Sequence, residues 1–134
     1  MASRYPLIVD SSAGQIKEVA ASDHLVFDSA AGSITGLTDA ATISINFASS
    51  NNFSVTLGGN RTLGNPSNVV AGQSGFIAVT QDGTGGRTLA YSSFWSFASG
   101  VAPTLTVGAG KTDVLAYYAR TTTDIVADVI LDVN

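Results

Sequence analysis

Apolar and polar residues alternate with a period of two along most of this chain. Ile43, Ile45 and Phe47 alternate with Ser44 and Asn46, and Phe53, Val55 and Leu57 alternate with Ser54 and Thr56. That period belongs to a strand with one buried face. Ser49, Ser50, Asn51 and Asn52 lie between the two runs, a polar link that predicts a hairpin-like pair. Phe76 to Gln81 and Val114 to Ala119 are apolar on both faces, which predicts central strands covered on two sides. In the last run Ile125, Ala127, Val129 and Leu131 share one face, and Asp124, Val126, Asp128, Ile130 and Asp132 share the wetter one. Thr121 to Thr123 links the final two strands as an antiparallel pair. Strands recur at short spacing with Gly, Asn and Asp turns between them, and no stretch holds a 3.6-residue period with helix caps. The pattern predicts an all-β, antiparallel β-sandwich of jelly-roll-like form. Its core is expected to hold Phe76, Val79, Leu89, Leu115, Ile125 and Val129.

Residues 1–40 break this rhythm. Tyr5, Pro6, Leu7, Ile8 and Val9 read as extended, Ser11 to Gly14 as a turn, and Gln15 to Val19 as a short returning strand. Such pieces are too small to bury a core of their own. The expected organisation is therefore an N-terminal arm over 1–40 and a β-sandwich domain over 41–134. Tyr5, Pro6, Leu7, Ile8, Val9, Ile16 and Val19 are the candidate attachment residues, ordered against a partner surface.

Composition narrows the function. Of 134 residues, 45 % are apolar and 12 % charged, about half the roughly 25 % charged share of an average globular domain. Six Lys and Arg against ten Asp and Glu give a net charge of −4, with no basic patch for nucleic acid. No apolar run approaches the ~20 residues of a membrane span, and none near the N-terminus has signal-peptide length. Synthesis in a cytoplasm, with no membrane partner, is the expectation. Cysteine is absent, which removes disulfides, zinc–thiolate sites and thiol nucleophiles.

Candidate chemistry is sparse. Gly108-Ala109-Gly110-Lys111-Thr112 resembles the end of a phosphate-binding loop, but position 105 is Leu where that motif needs Gly. A strand rather than a helix follows it, so a turn is the reading. The single histidine, His24, lies in the arm between Asp23 and Leu25, where one histidine reads as a surface or interface residue and not as a catalytic base. Asp124, Asp128 and Asp132 would stand about 13 Å apart along a strand, too far for a metal cage or an acid–base pair. Asp82 beside Gly83 lacks further nameable calcium ligands. Asn52-Phe53-Ser54 and Asn60-Arg61-Thr62 fit the glycosylation pattern, which has no meaning without secretion. No catalytic residue, metal or cofactor is assigned, and the protein is read as a non-enzyme.

Two blocks resemble virion proteins of tailed bacteriophages, especially marine phages of cyanobacteria and other bacteria. The first is Arg4 to Asp10 followed by Ile16-Lys17-Glu18. The second runs from Phe53 to Arg120, with landmarks at Asn60-Arg61-Thr62-Leu63, Pro66, Gly72 to Gly75, Thr80-Gln81-Asp82, Arg87-Thr88-Leu89, Pro103-Thr104-Leu105 and Asp113-Val114-Leu115. It is similar to a module near the ends of phage fibre-type proteins. The resemblance implies a place in the virion and a partner there, the major capsid protein or another virion protein. The chain lacks the long repetitive shaft of a fibre. The expected role is therefore a capsid decoration (cement) protein, forming a homotrimer on the outer head surface. The alternative is a short tail fibre or adhesin component that binds the host surface. On the pattern alone, the far-ultraviolet circular dichroism spectrum of the purified protein should be β-dominated, and a helical spectrum would contradict the assignment.

Overall fold

The computed structural model describes residues 31–133 in full and the backbone of two short strands before them. Contacts divide the chain into two compact units, Met1–Ala31 and Gly32–Asn134. In the first, β1 (Leu7–Asp10) pairs antiparallel with β2 (Gln15–Glu18), Leu7 opposite Glu18 and Asp10 opposite Gln15. Of the candidate attachment residues, Leu7, Ile8, Val9 and Ile16 lie in these two strands, while Tyr5, Pro6 and Val19 fall outside the described residues, as does His24.

The second unit is all-β, built from two sheets around one core. Its strands are β3 (Ile34–Gly36), β4 (Thr42–Ile43), β5 (Asn52–Leu57), β6 (Arg61–Leu63), β7 (Ser74–Gln81), β8 (Leu89–Tyr91), β9 (Trp95–Ser96), β10 (Thr112–Thr121) and β11 (Asp124–Ile130). A six-stranded sheet has the order β3-β5-β7-β10-β11-β9, and a three-stranded sheet the order β4-β6-β8. Residues 32–40, grouped by sequence with the arm, begin this unit: Ile34 pairs with Asn52 and Gly36 with Ser54.

From β3 to β8 the chain alternates strictly between the two sheets. β3, β5 and β7 stack parallel in one, and β4, β6 and β8 stack parallel in the other. The result is a short two-sheet β-coil, in which each turn of chain lays one strand on each wall. The antiparallel pairs of this unit come at the end, where β10 pairs with β7 and β11 with β10. The sandwich is thus largely parallel, and the hairpin expected between Ile43–Phe47 and Phe53–Leu57 does not form. Period-two alternation is the same in either arrangement, so the pattern cannot distinguish them.

The corner chemistry shows why the chain crosses instead of folding back. Asn46 closes a turn, its Oδ1 accepting from the Ala48 amide at 3.0 Å while its carbonyl accepts from the Ser49 amide. Ser50 Oγ then accepts from the Asn52 amide at 3.0 Å, and the chain enters the opposite wall. Between these bonds the Asn51 carbonyl points at β7, accepting from the Phe76 amide at 3.3 Å and from the Tyr117 hydroxyl at 2.8 Å. A Cβ on Gly75 would lie 1.8 Å from that oxygen. Only glycine permits the approach.

Rows of side chains cross the core along the register. Thr35, Phe53, Ile77, Leu115 and Val129 form one such row. Ile43, Ile45, Phe47, Leu63 and Leu89 face it from the other wall, and all five are buried. Phe47 stacks on Tyr117 at 4.8 Å between ring centroids, and Trp95 meets Tyr117 edge-on at 6.3 Å. The Trp95 indole donates to the Gly64 carbonyl at 2.9 Å, tying β9 to the end of β6.

Val79, Leu89, Leu115 and Ile125 are buried here, and Val129 is half-buried against them. Phe76 is not a core residue: it is 52 % exposed. It differs in parity from Ile77 and Val79, so on a strand it must take the opposite face. Leu131, grouped by pattern with Ile125, lies past the end of β11 and is exposed. Leu115 is fully enclosed, and its replacement by Ala should cost roughly 2–5 kcal/mol in urea unfolding. Val126→Ala, on the outer face of the neighbouring strand, should move the midpoint far less.

Candidate interaction face

Several polar landmark residues of the second resemblance block sit at or beside the coil corners and serve backbone groups there. Gln81 is buried and acts as a substitute strand, its Oε1 accepting from the Arg87 amide at 2.8 Å and its Nε2 donating to the Arg87 carbonyl at 2.9 Å. Asp82 accepts from the amides of Thr84 and Gly85 and pairs with Arg87 at 2.7 Å. Asn60 Oδ1 accepts from the Thr88 amide. Asp113 is buried, yet both its oxygens are used: Oδ2 accepts from Thr106 at 2.7 Å and Oδ1 from Asp132 at 2.8 Å. Unpaired backbone groups at a buried corner would each cost ~1–3 kcal/mol, so these side chains are structural fasteners.

The electrostatics agree. The Arg87 guanidinium, with help from the Gly85 amide, pulls the Asp82 carboxyl down to about 2. Arg61 lowers Asp39 in the same way, through a two-bond contact at 2.7 Å. Burial raises the Tyr117 hydroxyl to about 12, and burial with the nearby Asp113 charge raises Tyr91 to about 12. The Tyr91 hydroxyl is buried without a hydrogen-bond partner among the described residues, inside the aromatic knot with Trp95 and Phe97.

The other sequence candidates are dispersed. Gly108 to Lys111 is a tight turn, with the Lys111 amide donating to the Gly108 carbonyl and Nζ pairing with Asp132 at 2.7 Å. The strand β10 follows it, as the pattern predicts, and not a helix. Asp124 holds Ser96 Oγ and the Arg120 guanidinium, whereas Asp128 accepts from the Val129 amide. Among the described residues no group of three or more His, Cys, Asp or Glu is placed to hold a metal ion, and no helix is long and apolar enough to cross a membrane.

What stands out instead is the outer face of the six-stranded sheet. Phe76, Ala116 and Asp128 lie side by side across β7, β10 and β11, and Ala78, Val114 and Ile130 form the next row. Tyr118 and Val126 make a third. Exposure is 52 % at Phe76, 51 % at Tyr118, 56 % at Ile130 and 38 % at Val126. Phe76 and Tyr118 are on the even faces of the two strands that the sequence reads as buried on both sides, and Val126 and Ile130 are on the face of β11 that it reads as wetter. In β7 and β10 one side meets the core and the other is exposed or half-buried. Toward β5 the face turns polar, through Asn52, Ser54, Thr56 and the Thr80–Thr112 hydroxyl pair at 3.0 Å. Parity alone could have assigned Phe76 and Tyr118 to this face; the pattern had no signal for whether the face was covered.

Residues 37–117 match the family described as "Putative phage tail fibre C-terminal domain". The match covers more than half of the chain and runs from the start of the first crossover into β10. The chain belongs to this family. No curated protein and no solved structure matches it. The fibre-domain match therefore contains the coil from β4 to β8 and the fasteners at Gln81, Asp82, Arg87 and Asp113, while β11 lies beyond it. As a member of this family the chain is a structural protein of a tailed-phage virion.

Acid should loosen the domain at the corner between β7 and β8. Asp82 is held below its ordinary value, so its contribution is full above about 3.8 and is lost as the pH falls toward about 2. The melting temperature of the native chain should fall across that window. Asp82→Asn should start lower at pH 7 and show a flatter acid limb; equal limbs would mean that Asp82 carries none of the acid sensitivity.

Proposed function

We propose that this virion protein is a tail-fibre-type module: a β-domain that associates with copies of itself and presents its loops to a host-surface ligand. The family match carries this reading, because it concerns fibres and spans the coil itself. It favours the tail alternative over the head-decoration role expected from the missing shaft. On this reading the protein binds and does not turn over substrate, and its partners are other virion proteins and neither nucleic acid nor membrane.

The outer sheet face supports self-association. Four strands about 4.8 Å apart, each about seven residues long, give a patch of roughly 20 Å by 20 Å, about half the ~800 Å² per partner of a standard interface. Its centre is apolar with one charge, Asp128, and its rim is threonine, serine and asparagine. A patch of that size matches the largest on an ordinary monomer, which is often a functional surface. Three copies closing around an axis would cover it on every chain and leave no open patch.

Two measurements test the reading. Gold-labelled antibody on purified particles should mark the tail, and quantitative mass spectrometry should find a few dozen copies or fewer. Label over the shell with hundreds of copies would restore the decoration role. Sedimentation of the purified chain should give a trimer, and Phe76→Asp with Tyr118→Asp should give a folded monomer. A trimer unchanged by both charges would remove the sheet face from the assembly.

A further inference from the structure

The six-stranded sheet is interrupted on both sides of β11. β9 runs parallel to it for two residues, Trp95 opposite Ile125 and Ser96 opposite Val126. The register would next set Phe97 beside Ala127 and Ala98 beside Asp128. The chain turns away instead. The Gly100 amide donates to the Phe97 carbonyl at 2.9 Å and the Val101 amide to the Ala98 carbonyl at 3.2 Å, with Ser99 held left-handed at φ 57°. On the other side the β10–β11 register slips between Ala119 and Thr121. A bulge of this kind re-aims a side chain, here that of Arg120. Between the turn and the bulge lies an open groove of about 340 Å³, and every residue that lines it belongs to the second unit.

The floor of the groove is apolar. It is made by Val126, 38 % exposed, and by the main chain of Ala127, whose methyl is on the core side with Ile125. Phe97 forms a wall, half-buried and held edge-on against the Tyr91 ring at 4.6 Å. The flanks are charged. Arg120 pairs with Asp124, which also accepts from Ser96 Oγ at 3.0 Å. Asp128 stands two residues beyond Val126 on the same face. Its Oδ1 accepts from the Val129 amide at 2.8 Å, and its Oδ2 has no partner among the described residues. β11 is the outermost of the four strands of the self-association patch, so the groove opens at the margin of that patch.

We infer that this groove binds one ring of an uncharged sugar, with the apolar face of the ring on Val126 and Phe97 and its hydroxyls between Arg120 and Asp128. The lining excludes the other ligand classes in turn. Arg120 with Asp124 and Asp128 leaves the groove one charge negative. A carboxylate, sulfate or phosphate would meet two carboxylates and a guanidinium that is already engaged. An ammonium would gain Asp128 and be repelled by Arg120. A wholly apolar ligand would strip water from both charges and return no hydrogen bond. Arg120 can only donate and ionised Asp128 can only accept, so the ligand must do both around an apolar body. A pyranose does, and the groove falls within the ~300–1,000 Å³ of small-molecule sites. Left-handed non-glycine residues such as Ser99 also gather at ligand clamps.

The inference rests on the host-surface part of the proposed function and names the chemistry of its ligand. Saturation-transfer NMR on the purified full chain tests it, with the methyl glycosides of glucose, galactose and mannose as probes at about 10 mM. Transfer should reach the ring C–H protons of at least one of the three, while glucuronate and choline receive little. Asp128→Ala and Arg120→Ala, both at exposed positions, should each weaken binding about tenfold or more. Ala98→Trp, which fills the groove from an exposed wall, should abolish it. Phe76→Asp, on the same sheet face but outside the groove, should leave the transfer as it is. No transfer to any of the three glycosides overturns the inference, and so does stronger transfer to either charged probe. Transfer that survives Asp128→Ala, Arg120→Ala and Ala98→Trp in chains of native dichroism has the same force, as does transfer lost with Phe76→Asp. Gold labelling and sedimentation report separately on tail location and self-association, so a failure of either leaves the sugar result standing.

Discussion

The antiparallel ladder between β7 and β10 is the joint on which this domain depends. Before it, every strand of the coil runs parallel to its neighbours; after it, the chain doubles back to lay β11 between β10 and β9. The joint works because the Asn51 corner, the Gly75 backbone and the Tyr117 hydroxyl meet at one point. The corner oxygen takes a hydrogen bond from each strand, and the missing Cβ lets it approach. The Leu115 row then runs unbroken from β3 to β11, so closing the joint and burying the core are one event.

A parallel coil needs more corners than a jelly roll of hairpins, and corners expose peptide groups that strands would have paired. The chain satisfies them with short polar side chains in fixed places. Gln81 imitates a strand, Asp82 and Asn46 close turns, and Asp113 ties two loops to β10. This accounts for the unusual composition. Few charges are present, and four of the described acidic residues are taken up in ion pairs. The residues that look most like candidate chemistry are the ones that the fold has used.

That economy leaves surfaces, not pockets, as the functional currency of the domain. The apolar outer face exists because the two central strands are apolar on both sides while the domain has only one core.

The all-β class, the strand positions and the inward parity of Val79, Leu115 and Ile125 were written in the period-two pattern, because burial of one strand face leaves that mark whatever the pairing. The turn at Gly108–Lys111 was legible from its residues, and so was the kinship with phage fibre modules, since the corner fasteners are short motifs at fixed spacing. Pairing direction was not legible. A strand followed by a polar corner reads alike whether the chain folds back beside itself or crosses to a second wall, and the choice rests on contacts between residues far apart, such as Asn51 with Tyr117. The fate of Phe76 was undecided for a related reason. Sequence shows that both faces of β7 are apolar, but which face meets the core is fixed by where the other sheet lies, and that is a property of the assembled structure alone.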